Sequence, residues 1–212
     1  MSEVMPVKFK GERLRTLLGV YRNFRARCTE DPHAARRNQQ EFARKVWAGE
    51  TVNLSDIKGV IAQLGISKYA VIGGNAAILY GARRTTVDID IIAAKSTVDA
   101  LATGYKSSPM TVGGSTITVK GFVVDLLHWH DPDWLGELLS EAVVHDGVRV
   151  ATPQWLVVLK LMASRDIDVG DIIAVTREMT PAQVDRTREL IGRLLPNDAQ
   201  DFENLLALGK LT

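Results

Sequence analysis

The residues best suited to chemistry lie in Val87-Asp88-Ile89-Asp90-Ile91. On an extended strand alternate side chains share a face, so Asp88 and Asp90 point one way and the three aliphatic residues the other. Two carboxylates two residues apart on one face repel each other unless a cation sits between them. Mg²⁺ is a hard cation that takes carboxylate and phosphate oxygens, and it suits such a pair. The same alternation also describes a half-exposed strand with a polar face, so the triplet has to be read with its surroundings.

Upstream, Tyr69-Ala70-Val71-Ile72 is a short apolar strand that stops at Gly73-Gly74, and a helix opens from Asn75. Glycines at such a turn let the backbone approach a ligand closely. A helix start offers free N–H groups and the positive end of a dipole to a phosphate. Glycine turns also precede many helices that bind nothing. Downstream, Asp125 stands alone in the apolar run Phe122 to Leu127. A buried lone carboxylate needs a partner, and a metal shared with Asp88 and Asp90 would supply one; the other reading is a strand-end aspartate facing water.

These residues are carried by a chain whose pattern changes twice. Apolar residues at Leu14, Leu17, Leu18, Tyr21 and Phe24, and again at Phe42, Val46 and Trp47, predict two N-terminal helices. A third helix carries Ile57, Val60, Ile61 and Leu64, capped by Asn53 or Ser55 and ended by Gly65. Strands are predicted at Tyr69 to Ile72, Thr85 to Ile92, Ser115 to Lys120, Gly121 to Trp129 and Val148 to Ala151, with helices from Asn75, at Val98 to Ala102 and at Pro132 to Ala142. From Gln154 the chain reads as helical almost to its end, with Lys160, Ser164 and Asp168 on one helix face. The expected organisation is a basic helical extension over 1–52, a mixed α/β core over 53–152 and a helical region over 153–212.

In order and spacing, Gly-Gly, then Asp-Ile-Asp, then a separate strand bearing Asp125 resembles the nucleotidyltransferase superfamily, whose core is a mixed sheet with flanking helices. The string Gly73-Gly74-x₆-Gly81-x₂-Arg84-x-Thr86-x-Asp88-Ile89-Asp90 is similar to AbiEii-type and related uncharacterised bacterial nucleotidyltransferases. So is the tail Pro153-x₅-Leu159-Lys160-Leu161-x-Ala163-x-Arg165-x₂-Asp168-x₂-Asp171-Ile172. The resemblance implies an α/β (α+β) nucleotidyltransferase core that transfers an NMP from an NTP with Mg²⁺ or Mn²⁺. Gly73 and Gly74 would present backbone N–H groups to the phosphates, while Asp88, Asp90 and Asp125 would hold the metal. Asp125 would alternatively take the proton of the attacking hydroxyl. Arg84, Lys160 and Arg165 would meet the triphosphate, as fork or point charge. Arg165 is equally placed to pair with Asp168 or Asp171 at helical spacing. The resemblance departs at Gly74, where many members carry a serine whose hydroxyl contacts phosphate; Asn75 is the nearest polar substitute. The acceptor is open between a protein, a tRNA and a small molecule. A toxin with an antitoxin partner, or a phage-defence role, is one implication; a catalytically inactive binding module or antitoxin of the same fold is the alternative.

The bulk properties fit this frame. Cys28 is the one cysteine in 212 residues, which excludes an internal disulfide or a thiolate metal site and suits a reducing cytoplasm. No apolar run approaches a membrane span, and the N-terminus lacks the apolar region of a secretory signal. Residues 1–50 hold eleven Lys/Arg and six Asp/Glu, a net +5, whereas the remaining 162 hold fifteen and nineteen, a net −4. Such a basic segment could contact RNA or an acidic partner, or could simply be a solvated helical face. His128, His130, Asp131 and Asp133 could form a second metal site, and Trp129 could stack on a base or belong to the core.

Overall fold

The computed structural model describes residues 52–110 and 113–210, so the two helices expected in the basic N-terminal segment lie outside the described residues. Helix α1 (Leu54–Leu64) starts at Asn53, whose side chain accepts from the Asp56 N–H while the Asp56 carboxylate accepts from the Asn53 N–H. This reciprocal box satisfies two of the donors a helix start leaves over. Gly65, with φ +63°, ends the helix in the left-handed conformation that glycine tolerates best.

Seven strands follow in a single mixed sheet: β1 (Tyr69–Val71), β2 (Asp88–Ala93), β3 (Ser107–Pro109), β4 (Gly114–Val119), β5 (Phe122–Leu127), β6 (Val143–His145) and β7 (Val148–Val150). Their spatial order is β3-β4-β5-β2-β1-β7-β6. The central pairs β2/β5 and β1/β7 are parallel, and the remaining four pairs are antiparallel. Interleaved with them are α2 (Gly73–Leu79), α3 (Lys95–Gly104) and α4 (Pro132–Glu141). After β7 come α5 (Pro153–Ala163), α6 (Asp166–Glu178), α7 (Pro181–Leu194), a 3₁₀ turn (Pro196–Asp198) and α8 (Ala199–Gly209). The mixed α/β architecture expected from the sequence is the one observed, with eight α-helices among the described residues. None of them is long and apolar enough to cross a membrane.

The core explains why β2 keeps its orientation. Ile89 and Ile91 are fully buried with Val124, Leu126, Ile117 and Val119, so a one-residue slip would put two aspartates into that layer. Helix α3 packs on β4 and β5 through Val98, while α2 packs on β2 and is backed by α5 and α6. Trp155 of α5 is inaccessible, stacks on Trp134 of α4 at 5.6 Å and donates its indole N–H to Glu141 at 2.8 Å.

Two expectations need correction. The helix carrying Lys160 does not run on to Asp168: it stops at Ala163, Ser164 takes φ +50°, and α6 restarts at Asp166. Asp168 therefore reaches Lys160 from a second helix folded back on the first, rather than from the next turn of the same one. The edge strands β3 and β6 were not anticipated. They are three residues each, too short for an alternating pattern to register.

Candidate functional site

Strand pairing gathers the three carboxylates. Asp90 on β2 lies directly beside Asp125 on β5, and Thr116 on β4 lies beside Asp125 in turn. Adjacent strands sit about 4.8 Å apart, so side chains in register share a face at close range. Asp88 falls two residues along on that same face. The Thr116 hydroxyl donates to Asp125 Oδ1 and the Thr86 hydroxyl to Asp88 Oδ1, both at 2.6 Å. These are short bonds to charged acceptors, and they fix the orientation of two of the three carboxylates.

Asp90 is the electrostatic centre. Burial, with the neighbouring charges of Asp88 and Asp125, pushes its pKa up to about 7, against the opposing fields of Arg165 and Lys160. Its ionised form is thus disfavoured by its surroundings unless positive charge is added. Among the described residues, no group of three or more His, Cys, Asp or Glu is drawn together so that it could hold a metal ion as it stands. In kind the donor set does suit a divalent cation: three carboxylates on one sheet face, one of them with a raised pKa.

The glycine turn is built against this face. Gly73 has φ +63°, and a Cβ there would fall inside the Asp90 carboxylate, so both backbone and packing exclude a side chain. The Ile72 N–H donates to the Asp90 carbonyl at 2.9 Å, tying the turn to β2. At Gly74 a Cβ would lie 2.6 Å from Arg84 Nη2 and 2.9 Å from Thr86 Oγ1. The place of the serine expected from the resemblance is thus already taken by the Arg84 guanidinium. Asn75 is not the polar substitute: it is buried, and its amide donates to the Asp88 carbonyl at 2.7 Å.

Arg84, Lys160 and Arg165 come from three separated segments and meet on two buried aspartates of α6. Arg84 Nη1 donates to Asp171 Oδ2 at 3.0 Å, and Lys160 Nζ to Asp171 Oδ2 at 2.6 Å and to Asp168 Oδ1 at 2.9 Å. Arg165 holds Asp168 through Nε at 2.9 Å and Nη2 at 3.2 Å, so the helix-spaced pairing open in the sequence is made with Asp168. Burial alone would raise the Asp168 pKa, but the bonds and fields of Arg165 and Lys160 outweigh it and hold the pKa below the usual range. Lys160 is 2% exposed and bonded to both aspartates, so it would act on a ligand by its field and by positioning its partners. Arg165 has a 60% exposed side chain. Partial desolvation where it packs on the protein works against its charge, yet the bond and field of Asp168 and the fields of Asp90 and Asp88 raise its pKa further, which places Arg165 within the field of the carboxylate face.

The remaining candidates fall away from this centre. Trp129 is half-buried and packs on Trp134 at 4.6 Å, joining the tryptophans of the core. His130 stacks on Trp129, and the Asp131 carboxylate caps α4 by accepting from the Asp133 and Trp134 N–H groups. Arg83 is exposed. Two site residues escaped the sequence reading. Thr116 is recognisable only once the β4/β5 register is known. Thr86 stood in the motif string, but its role as a donor to Asp88 follows from the turn before β2.

A three-carboxylate sheet face beside a strand–glycine–helix turn, in a mixed sheet flanked by helices, is the layout of a nucleotidyltransferase fold. The chain belongs to the family described as nucleotidyltransferase of unknown function (DUF6036), whose model matches residues 53–185. No curated protein is detectably similar. Among solved structures the chain is similar to JHP933 from Helicobacter pylori, at 14% identity and a TM-score of 0.43 over 73% of this chain and 88% of that one.

Proposed function

We propose that this chain binds an NTP with Mg²⁺ or Mn²⁺ and transfers the NMP to a hydroxyl or phosphate oxygen of an acceptor. The observation that carries the reading is the register of Asp90 with Asp125, with Asp88 on the same face and the Gly73-Gly74 turn packed against Asp90. In the reaction the acceptor oxygen forms a bond to the α-phosphorus, the bond to the bridging oxygen breaks, and pyrophosphate leaves. A divalent cation held by Asp88, Asp90 and Asp125 would supply charge neutralisation and alignment of the attacking and leaving oxygens. Thr86 and Thr116 hold Asp88 and Asp125 on this carboxylate face through their hydroxyls. Gly73 and Gly74 admit the triphosphate close to the backbone, and Arg84 and Arg165 offer it guanidinium forks. Asp125 would alternatively take the proton of the acceptor hydroxyl.

The acceptor is a protein side chain, a tRNA end or a small molecule, and the AbiEii-like string motivates a toxin role with an antitoxin partner. A second reading is an NTP-binding module or antitoxin without transferase activity. One observation favours it: the carboxylates are not gathered into a ready ligand cluster. Incubation with each α-labelled NTP, Mg²⁺ and cell extract separates the two. The enzyme reading expects label on an extract component with the wild-type chain and none with Asp90→Asn. Metal-dependent NTP binding without transfer from any of the four would establish the second reading, and full activity of Asp90→Asn would refute the site.

A further inference from the structure

Two features of this site are not accounted for by backbone contact with phosphate alone: a residue without a side chain at 74, and two aspartates buried beside a lysine on the C-terminal helices. Asp168 and Asp171 are 0% and 3% exposed, and Lys160 is 2% exposed. Buried charges persist where each has partners. Here a single oxygen, Asp171 Oδ2, accepts from Lys160 Nζ at 2.6 Å and from Arg84 Nη1 at 3.0 Å. With Nη1 fixed, the rigid guanidinium plane puts Nη2 where a Cβ on Gly74 would stand, 2.6 Å away. On its other side that space is closed by buried Thr86, whose Cβ would be 3.1 Å from the same point.

We propose that Asp171, anchored by Lys160, is the positioning residue that holds the Arg84 guanidinium over Gly74, so that this arginine meets the triphosphate in place of any side chain at 74. The inference rests on the nucleotide reading of the site. It makes the identity of residue 74 conditional on Arg84: glycine is required while the arginine is pinned there. It also couples α6, which lies beyond β7 in the chain, to the glycine turn after β1. Asp171 touches no substrate and acts through Arg84.

Calorimetric binding of ATP, GTP, CTP and UTP, each with Mg²⁺, tests this in the full chain. Arg84→Ala and Asp171→Asn are each expected to weaken the best-bound NTP about ten- to a hundredfold, the scale of one charge-assisted hydrogen bond. The double variant should bind no more weakly than Arg84→Ala, because residues acting through one contact are not additive. Gly74→Ser should lose as much as Arg84→Ala by displacing the guanidinium, and Gly74→Ser combined with Arg84→Ala should recover affinity over either single change. Additive losses in the first pair, or wild-type binding by Gly74→Ser alone, would overturn the proposal. The Arg84 guanidinium ¹⁵N–¹H resonance of the wild-type chain, assigned by its loss in Arg84→Ala, reads the positioning without nucleotide and without relying on the folding of Asp171→Asn. Slow, hindered rotation is expected, and free averaging contradicts the proposal. Absence of NTP binding by the wild-type chain would refute the nucleotide reading, with the resonance still deciding whether Arg84 is held.

Discussion

The surroundings of Asp90 oppose its charge. Its pKa is pushed up to about 7, well above the ordinary range of an aspartate, first by burial and then by Asp88 and Asp125. The folded state therefore holds the proton more tightly than the unfolded chain does. The resulting stability is complete below about pH 4 and is lost as pH rises through 7. Asp90→Asn removes this penalty. The variant is expected to melt a few degrees above wild type at pH 8 in metal-free buffer, where 1 kcal/mol is worth about 2–4 °C in a chain of this size. At pH 4 the difference should vanish; a variant less stable than wild type at pH 8 would contradict the assignment. Thr116 tests the neighbouring carboxylate. Thr116→Val keeps the shape and removes the donor to Asp125. Denaturant unfolding should show a loss of about 1 kcal/mol, the scale of one hydrogen bond, and NMP transfer should fall with it. Unchanged transfer would release Thr116 from the site.

At the scale of elements, the sequence was most legible where short-range rules act alone. The Gly65 stop of α1 was readable and its cap was narrowed to Asn53 or Ser55, of which Asn53 is the one used, because a helix end is decided within four residues. Asn53→Ala is accordingly expected to cost about 1 kcal/mol in urea unfolding, and no loss would mean that the box carries no stability. Asp88 and Asp90 on one face followed from alternation, and Asp125 from being a lone charge in an apolar run. What alternation cannot supply is register: Thr116 beside Asp125 depends on β4 and β5 closing through Lys120-Gly121, whose positive φ values of 53° and 85° make a two-residue hairpin turn. The break at Ser164 was missed because no proline or glycine marks it. Helical periodicity resumes at once, so only the fold-back of α6 onto Lys160 reveals that Asp168 and Asp171 face Lys160 from another helix.

For the whole molecule, the family match runs from residue 53 to 185, spanning the sheet, α5 and α6. This extent makes physical sense. The carboxylate face belongs to the sheet, yet the cations that offset it are oriented from α6, so neither part completes the site without the other. The proposed reaction at this composite site cleaves an NTP between its α- and β-phosphates. The most direct measurement compares α-labelled with γ-labelled NTP in parallel reactions with Mg²⁺ and cell extract. Label from the α-position should remain on the acceptor while label from the γ-position leaves as pyrophosphate, and Asp90→Asn should abolish both. Transfer of the γ-label to an acceptor, or retention of neither label with any of the four NTPs, would contradict it.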